Sequence, residues 1–178
     1  PLVDAGATLV FFEPSCLSAI REDAPDLVAG DTRRRALQVA ARSRLFEEWL
    51  EEETAAGRAR LAFRPGPSRL LLHGHCHQKA MGALPAAMAL LGRIPGSAVS
   101  DPDAGCCGMA GSFGYLREHF DVSRAIGERR LLPAARNLGA DGVLVASGTS
   151  CRAQVGDLAG VRAVHPAELV QALMMEPT

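Results

Sequence analysis

Short apolar runs punctuate the chain at intervals. Residues 7 to 12 (ATLVFF), 69 to 72 (RLLL) and 143 to 146 (VLVA) are largely apolar, and residues 98 to 99 and 161 to 164 form briefer runs of the same kind. Short continuous apolar runs bounded by glycine or proline are typical of strands that are buried on both faces. The pattern therefore predicts a set of short, buried strands.

Helical patterns fill much of the sequence between these runs. After Asp31 or Thr32, either of which can act as an N-cap, apolar residues recur at steps of four: Leu37, Ala41, Leu45 and Trp49. This spacing predicts one amphipathic helix that runs to about Gly57. Residues 81 to 91 predict a second helix, and residues 167 to 174 predict a closing helix.

Strands that alternate with helices predict an α/β fold with a mainly parallel sheet flanked by helices. The cysteines all follow predicted strands: Cys16, Cys76, Cys106, Cys107 and Cys151. In open α/β sheets, ligand sites gather beyond the carboxyl ends of the strands. We therefore expect the cysteines at the C-terminal ends of strands to mark a functional site.

The composition limits the classes of protein to which the chain can belong. The chain has 178 residues, of which 48% are hydrophobic and 22% charged, and these proportions are typical of a globular domain. Nineteen basic and twenty acidic residues leave a net charge of -1, which does not favour nucleic acid as a partner. No apolar run reaches the roughly 18 to 20 residues of a transmembrane segment.

The cysteine count and the first residues suggest the setting. An odd number of cysteines, with Cys106 and Cys107 adjacent, is unsuited to a simple disulfide framework and favours a reducing, cytoplasmic compartment. The sequence begins PLVD, with no initiator methionine and no signal-peptide pattern, so we expect a soluble piece of a longer chain.

A metal site explains the cysteines best. Thiolates of Cys76, Cys106, Cys107 and Cys151 that converged at one sheet edge would repel one another unless iron or zinc compensated their charge. Glycines flank the Cys106-Cys107 pair, so the backbone is free to turn both thiols toward one centre. The alternative for each cysteine is a small buried hydrophobic side chain.

Histidines surround one of these cysteines. Alternation at a strand end would place His73, His75 and His77 on the side opposite Cys76. We expect capping or hydrogen-bonding roles for them, with His75 as a further candidate ligand because imidazole suits zinc and iron. The glycine-rich residues 108 to 115 (GMAGSFGY) are expected to bring backbone amides close to metal-bound sulfurs.

A faint internal repeat divides the chain. Residues 7 to 12 precede the sequence EPSC (13 to 16), and residues 142 to 147 precede GTSC (148 to 151). This similarity predicts that residues 1 to 30 are the end of one unit and residues 31 to 178 a complete second unit.

Three motifs carry a resemblance to a known family: GHCH (74 to 77), GCCG (105 to 108) and GTSC (148 to 151). The chain resembles the cysteine-rich CCG domain family, which includes a subunit of heterodisulfide reductase and the iron-sulfur subunits of glycolate oxidase and anaerobic glycerol-3-phosphate dehydrogenase. The stretches CCGMAGSFGY, ASGTSCRAQV and AVHPAELVQAL most resemble the C-terminal part of fused FAD-linked, iron-sulfur D-2-hydroxyacid dehydrogenases. The likeness spans residues 7 to 173.

The resemblance implies a ligand set. Four of the five cysteine places of the family pattern are filled in this chain: Cys76, Cys106, Cys107 and Cys151. Gly148 stands where the first cysteine of the final pair is expected. Cys16 matches the last cysteine of the preceding repeat, with Glu13 in place of its partner, which makes Cys16 a further candidate ligand. Four thiolates suffice for a [4Fe-4S] cluster, and zinc would satisfy the same geometry.

The resemblance also implies a function. The chain would be the C-terminal electron-relay domain of an FAD-linked dehydrogenase of D-lactate, glycolate or D-2-hydroxyglutarate. Its partners would be FAD-binding and ferredoxin-like domains of the same protein or complex, and a downstream electron acceptor. We expect a cytoplasmic location, peripheral to the inner membrane through that acceptor, and no activity from this domain alone.

The sequence leaves two alternatives open. One is a structural or docking domain of the same oxidoreductase, with zinc or no metal. The other is a thiol-active site in which Cys106-Cys107 cycles with Cys151 or Cys76 as a disulfide.

Overall fold

The computed structural model of the protein describes residues 2 to 175. The strands within this range are β1 (Leu9–Phe11), β2 (Ser43–Leu45), β3 (Arg69–His73), β4 (Ala98–Ser100), β5 (Gly142–Ala146) and β6 (Ala163–Val164). The helices are α1 (Pro14–Ser18), α2 (Ala24–Asp26), α3 (Gly30–Ala41), α4 (Phe46–Ala55), α5 (Cys76–Ala80), α6 (Leu84–Gly92), α7 (Phe120–Glu128), α8 (Leu131–Arg136), α9 (Thr149–Ala159) and α10 (Pro166–Leu173). A π-helical segment (Ala19–Asp23) links α1 to α2, and two 3-10 turns (Phe113–Tyr115 and Arg117–His119) precede α7.

The main sheet is parallel, with the strand order β4-β3-β5-β6. Strands β3 and β5 lie side by side at its centre over their full length, with His73 opposite Ala146 at the carboxyl end. The prediction of an α/β fold with a mainly parallel sheet is confirmed. So is the position of the cysteines, since each one follows the carboxyl end of a strand.

Helices cover both faces of this sheet. Leu70, Leu72 and Val145 pack with α6 and α10 on one face. Leu71 and Leu144 pack with α8 and α9 on the other. Strands covered on both sides in this way have apolar residues at successive positions, which is why they appear in the sequence as unbroken runs.

The long helix predicted from Asp31 or Thr32 to about Gly57 is wrong, because strand β2 interrupts it between α3 and α4. Ser43 and Leu45 are wholly buried, and β2 pairs in parallel with β1, with Leu9 opposite Ser43 and Phe11 opposite Leu45. The four-residue spacing that suggested a continuous helix crosses this strand by coincidence.

The predicted caps of that helix are wrong as well. Helix α3 already begins at Gly30, so Asp31 and Thr32 lie inside its first turn, and its N-cap Ala29 supplies no side-chain hydrogen bond.

The first strand and its surroundings form a small core of their own. Leu17, Leu45 and Ala83 are buried together, with Phe11 and Met81 packed against them. The pairing of β1 with β2 therefore crosses the predicted unit boundary at residue 30, and the division into two repeat units stays a prediction. Within the described residues, no helix has the length and apolar character needed to span a membrane.

Candidate metal centre

Neighbouring loops bring four cysteines to the carboxyl edge of the main sheet. Cys76 is the first residue of α5, directly after β3, and Cys151 lies in the first turn of α9, after β5. Cys106 and Cys107 lie in the long loop that follows β4. Because β3 pairs with both β4 and β5, the ends of all three strands face the same space.

The thiols form a continuous chain of contacts. The sulfurs of Cys107 and Cys151 lie 3.3 Å apart, and both residues are buried. The thiol of Cys106 lies near those of Cys107 and Cys76, and the three thiols perturb one another's pKa values. Cys76 and Cys106 are only half-buried, so two thiols of the group lie deep and two lie near the surface.

A cavity of about 390 Å³ is lined by three of these cysteines, Cys76, Cys106 and Cys107. Its lining includes cysteines, histidines and small residues: Ser15, His75, Cys76, His77, Cys106, Cys107, Ala110, Gly111 and Ser150. The lining includes the buried Cys107 on one side and the exposed His77 on another. A small inorganic group therefore has both room and access.

Two glycines set the path of the loop around the cysteine pair. Gly105 has φ +65° and Gly108 has φ +102°, a region that favours glycine. A Cβ on Gly108 would lie 2.4 Å from the carbonyl oxygen of Ser123, so no side chain fits there. The Gly108 backbone N–H donates to the sulfur of Cys106 at 3.3 Å, an amide-to-sulfur contact of the kind expected for the glycine-rich turn.

Hydrogen bonding between the thiols favours two thiolates. Hydrogen bonds from Cys107 and Cys76 hold the pKa of Cys106 well below its usual range, despite partial burial. A hydrogen bond from Cys107, aided by the nearby His73 ring, lowers the pKa of Cys151 to about 5. The pKa values of Cys76 and Cys107 are raised because their protons are shared with these acceptors. Metal binding would displace those protons, since the thiolate is the ligand.

His75 acts as a helix cap. Its Nδ1 accepts a hydrogen bond from the His77 backbone N–H at 3.2 Å, and its Nε2 lies 3.8 Å from Oε1 of Glu13. Burial lowers the pKa of His75, which favours the neutral ring. The capping role expected for these histidines is confirmed for His75. The predicted alternation through residue 77 is wrong, because β3 ends at His73 and α5 begins at Cys76.

His73 is the residue that the sequence did not single out as a ligand. It is the last residue of β3, is fully buried, and lies on the sheet face that carries Leu71, Cys107 and Cys151. One ligand atom each from His73, Cys107 and Cys151 lies within 4.8 Å of the other two. Its position in the sequence was the one indication of this role. His73 is the final residue of a central strand and lies two residues after Leu71, so that both side chains are on the same face of the sheet.

The first Ser-Cys turn contributes a carboxylate to the site. Cys16 is exposed on α1 and is not part of the cavity lining. Oε2 of Glu13 instead accepts hydrogen bonds from the backbone N–H of Thr149 at 2.8 Å and from its hydroxyl at 3.0 Å. Glu13 thereby caps the N-terminus of α9, the helix that carries Cys151.

Gly148, the position at which the resemblance led us to expect a further cysteine, is enclosed. A Cβ built there would lie 2.3 Å from Cδ2 of His75 and 3.0 Å from the sulfur of Cys151. The His75 ring therefore occupies the space that a side chain at 148 would need.

Comparison with curated proteins relates the chain to two kinds of dehydrogenase. It is 30% identical over 171 residues to a subunit of the anaerobic glycerol-3-phosphate dehydrogenase of Escherichia coli K12, an alignment that covers 94% of this chain and 41% of that protein. It is 29% identical over 178 residues to the D-2-hydroxyglutarate dehydrogenase of Pseudomonas putida KT2440, covering 95% of this chain and 15% of that protein. The chain is a partial homologue of these oxidoreductases.

The alignments cover only part of each relative, so the activity of the whole relative does not transfer to this chain. The chain spans less than half the length of either relative. The D-2-hydroxyglutarate dehydrogenase of Escherichia coli K12 is 35% identical over 102 residues, which covers 57% of this chain and 10% of that protein. No family model matches the chain. No solved structure matches it either. The homology supports a domain of an oxidoreductase with a cysteine cluster capable of holding a metal.

Proposed function

We propose that this domain holds a [4Fe-4S] cluster at its cysteine-lined edge and relays electrons within an FAD-linked 2-hydroxyacid dehydrogenase. The observation that carries the proposal is the convergence of four cysteines: Cys76, Cys106 and Cys107 line one cavity, and the sulfur of Cys151 lies 3.3 Å from that of Cys107. Four cysteine thiolates are the usual ligand set of such a cluster. The names of the relatives, both dehydrogenases, support a redox role.

Each part of the site has a role in this proposal. Cys107 and Cys151 would hold the buried side of the cluster, and Cys76 and Cys106 the side near solvent. The bound cluster would supply one-electron oxidation and reduction. The Gly108 N–H that donates to Cys106 would stabilise the reduced, more negative state, because hydrogen bonds to cluster sulfurs raise the reduction potential.

The substrate chemistry is assigned to the rest of the parent protein. An FAD-binding domain would oxidise a 2-hydroxy acid of the D-lactate, glycolate or D-2-hydroxyglutarate type, and a ferredoxin-like domain would carry electrons to or from this edge. Cys76 and Cys106, the half-buried thiols, mark the side that faces such a partner. A downstream acceptor would complete the relay, in the cytoplasm or at the inner membrane.

A second candidate is a zinc-stabilised docking domain of the same kind of oxidoreductase. The specific observation in its favour is the 3.3 Å separation of the Cys107 and Cys151 sulfurs, with His73 close to both. Two thiolates bound to one tetrahedral zinc at the usual bond length lie about 3.8 Å apart. Structural zinc sites also accept a mixture of cysteine and histidine ligands.

Metal analysis separates these functions. The protein is purified anaerobically, and iron, zinc and acid-labile sulfide are measured together with the visible spectrum before and after dithionite. About four irons and four sulfides per chain with a bleachable band support the relay. One zinc per chain with no bleachable band supports the docking domain. A folded protein without metal under strict anaerobiosis contradicts both and leaves the thiol-active alternative.

A further inference from the structure

The His73 side chain is buried without a partner for either ring nitrogen. Its exposed fraction is 0%, and neither Nδ1 nor Nε2 has a hydrogen-bond partner among residues 2 to 175. A neutral imidazole carries one donor and one acceptor, and buried polar groups in proteins are nearly always paired. The ring therefore points to a missing partner.

The surroundings of the ring identify the chemistry of that partner. His73 lies beside the two deepest thiols, and its ligand atom is within 4.8 Å of the sulfurs of Cys107 and Cys151. The pocket formed by these three residues holds two soft sulfurs and one imidazole nitrogen. Zinc and iron are the ions that suit this mixture.

The two neighbouring histidines are less suited to bind a metal. His75 already uses Nδ1 to accept from the His77 backbone, so its Nε2 carries the proton and is a donor. His77 is exposed at the mouth of the cavity. Of the three histidines around Cys76, His73 is the one that is buried with neither ring nitrogen hydrogen-bonded among the described residues.

We propose that His73 is a nitrogen ligand of the metal centre and shares it with Cys107 and Cys151. This inference rests on the proposed function, because it requires a metal at this edge, but it holds for either metal. With zinc, His73, Cys107, Cys151 and one of the two outer cysteines complete a four-coordinate site. With iron, a histidine in place of a thiolate raises the reduction potential of a cluster.

The rigid position of His73 fits this role. It is held at the end of β3, with Ala146 opposite it on β5, so the ring is placed by the most extensively paired strands of the sheet. Ligands on such elements are positioned more accurately than ligands on loops.

Pulsed electron paramagnetic resonance tests the proposal on the wild-type chain. The protein is prepared with ordinary or 15N-labelled histidine and loaded anaerobically, either with ferrous iron and sulfide followed by reduction, or with cobalt(II) alone in place of zinc. We expect a nitrogen coupling to the metal that changes with the label. Metal-loaded protein without any histidine coupling would overturn the proposal and leave an all-thiolate centre.

Variants assign the coupling to one residue. His73→Leu should abolish the nitrogen coupling. It should also weaken metal binding by about 10-fold to 100-fold or more, because the loss of a residue that only supports a ligand already has an effect of that size. His73→Cys should keep the metal and lose the coupling, so it provides the answer if His73→Leu does not fold. His77→Leu is the matched control and should retain both metal and coupling.

The outcomes also separate this proposal from the proposed function. Coupling that persists in His73→Cys would assign the nitrogen to another histidine and overturn only the present inference. A wild-type chain that takes up neither iron and sulfide nor cobalt would contradict both.

Discussion

The chain contains two strand-to-helix turns with similar sequences and different surroundings. EPSC (13 to 16) follows β1, and GTSC (148 to 151) follows β5. In the first turn Cys16 is exposed and the next residue, Leu17, is fully buried. In the second, Cys151 is buried and Arg152 is half-buried. A shift of one residue turns the buried side by about 100° around a helix, which is enough to exchange the two positions.

The neighbours of each turn explain the difference in chemistry. Strand β5 lies next to β3, which brings His73 to the turn, while the loop after β4 brings Cys107. Strand β1 pairs with β2, whose Leu45 packs against Leu17. The local sequence therefore sets the turn, whereas the adjacent strands decide whether its buried residue lies beside potential metal ligands, as Cys151 does, or in an apolar core, as Leu17 does.

The largest expected effect concerns the buried residue of the first turn. Leu17→Ala should lower the free energy of unfolding by about 2–5 kcal/mol, because it leaves a cavity in a small core. Cys16→Ala should change it by less than about 0.5 kcal/mol, since the side chain is exposed. Urea denaturation of the metal-free protein measures both. Equal losses would contradict the assigned orientation of α1.

The next effect concerns the space beside Gly148 in the second turn. Gly148→Ala should destabilise the protein by about 1–3 kcal/mol, because the new methyl group meets the His75 ring. The loss should shrink in a His75→Ala background.

Gly156→Ala is the matched control on the same helix. A Cβ there meets nothing among the described residues within 4 Å, so alanine should stabilise α9 by about 0.5–1 kcal/mol. A Gly148→Ala variant as stable as wild type would show that the His75 ring does not occupy this space.

A smaller effect concerns the contact between the two turns. Glu13→Ala should lower the free energy of unfolding by about 0.5–2 kcal/mol, the usual loss for an N-cap, because Thr149 loses its acceptor. Glu13→Gln keeps an acceptor oxygen and should lose less. Thermal unfolding of the two variants at one pH compares them, and an equal loss would contradict a capping role.

The smallest effect is a pair of opposite pH dependences just outside the turns. Before the second turn, the Ser147 hydroxyl donates to Glu47, whose pKa burial raises. The folded state therefore favours the protonated carboxyl of Glu47. The contribution of this group to stability is fully present below the unfolded pKa of about 4.3 and is lost as the pH rises. Glu47→Gln should flatten the fall in unfolding free energy above that pH. An unchanged slope would contradict the burial of the carboxyl.

The contact made by the residue before the first turn gives a pH dependence of stability with the opposite sign. The carbonyl of Phe12 lies 2.8 Å from Nε2 of His165, and burial lowers the pKa of this histidine. The folded state therefore favours the neutral ring of His165. The contribution of this ring to stability is present above the unfolded pKa of about 6.5 and is lost as the pH falls. Unfolding curves between pH 5 and 8 should show this loss in the wild type and not in His165→Gln.

Much of the fold was predictable from the sequence, and the failures have physical causes. Apolar runs such as residues 143 to 146 located the central strands because a doubly covered strand needs apolar side chains on both faces. Strand β2 was missed because its stability comes from pairing with a strand more than thirty residues away. Helical spacing across Leu37 and Leu45 carried no information about that partner.

The candidate site was also only partly predictable from the sequence. Cysteines at strand ends were predictable from local pattern, as was a capping histidine. The ring of His73 was not distinguished from those of His75 and His77, because its two unpaired nitrogens become apparent only when the end of β3, the start of α9 and the loop after β4 are brought together. Which atoms remain unpaired is a property of the packed structure.

Metal content of two single variants, compared with the wild type, tests the central claim most directly. Cys16→Ser and Cys151→Ser make the same substitution at matching positions of the two turns, and iron, zinc and sulfide are measured in each after identical anaerobic purification. We expect Cys16→Ser to retain the full wild-type metal content and Cys151→Ser to lose it. Full metal in Cys151→Ser, or its loss in Cys16→Ser, would contradict a centre built on the second turn.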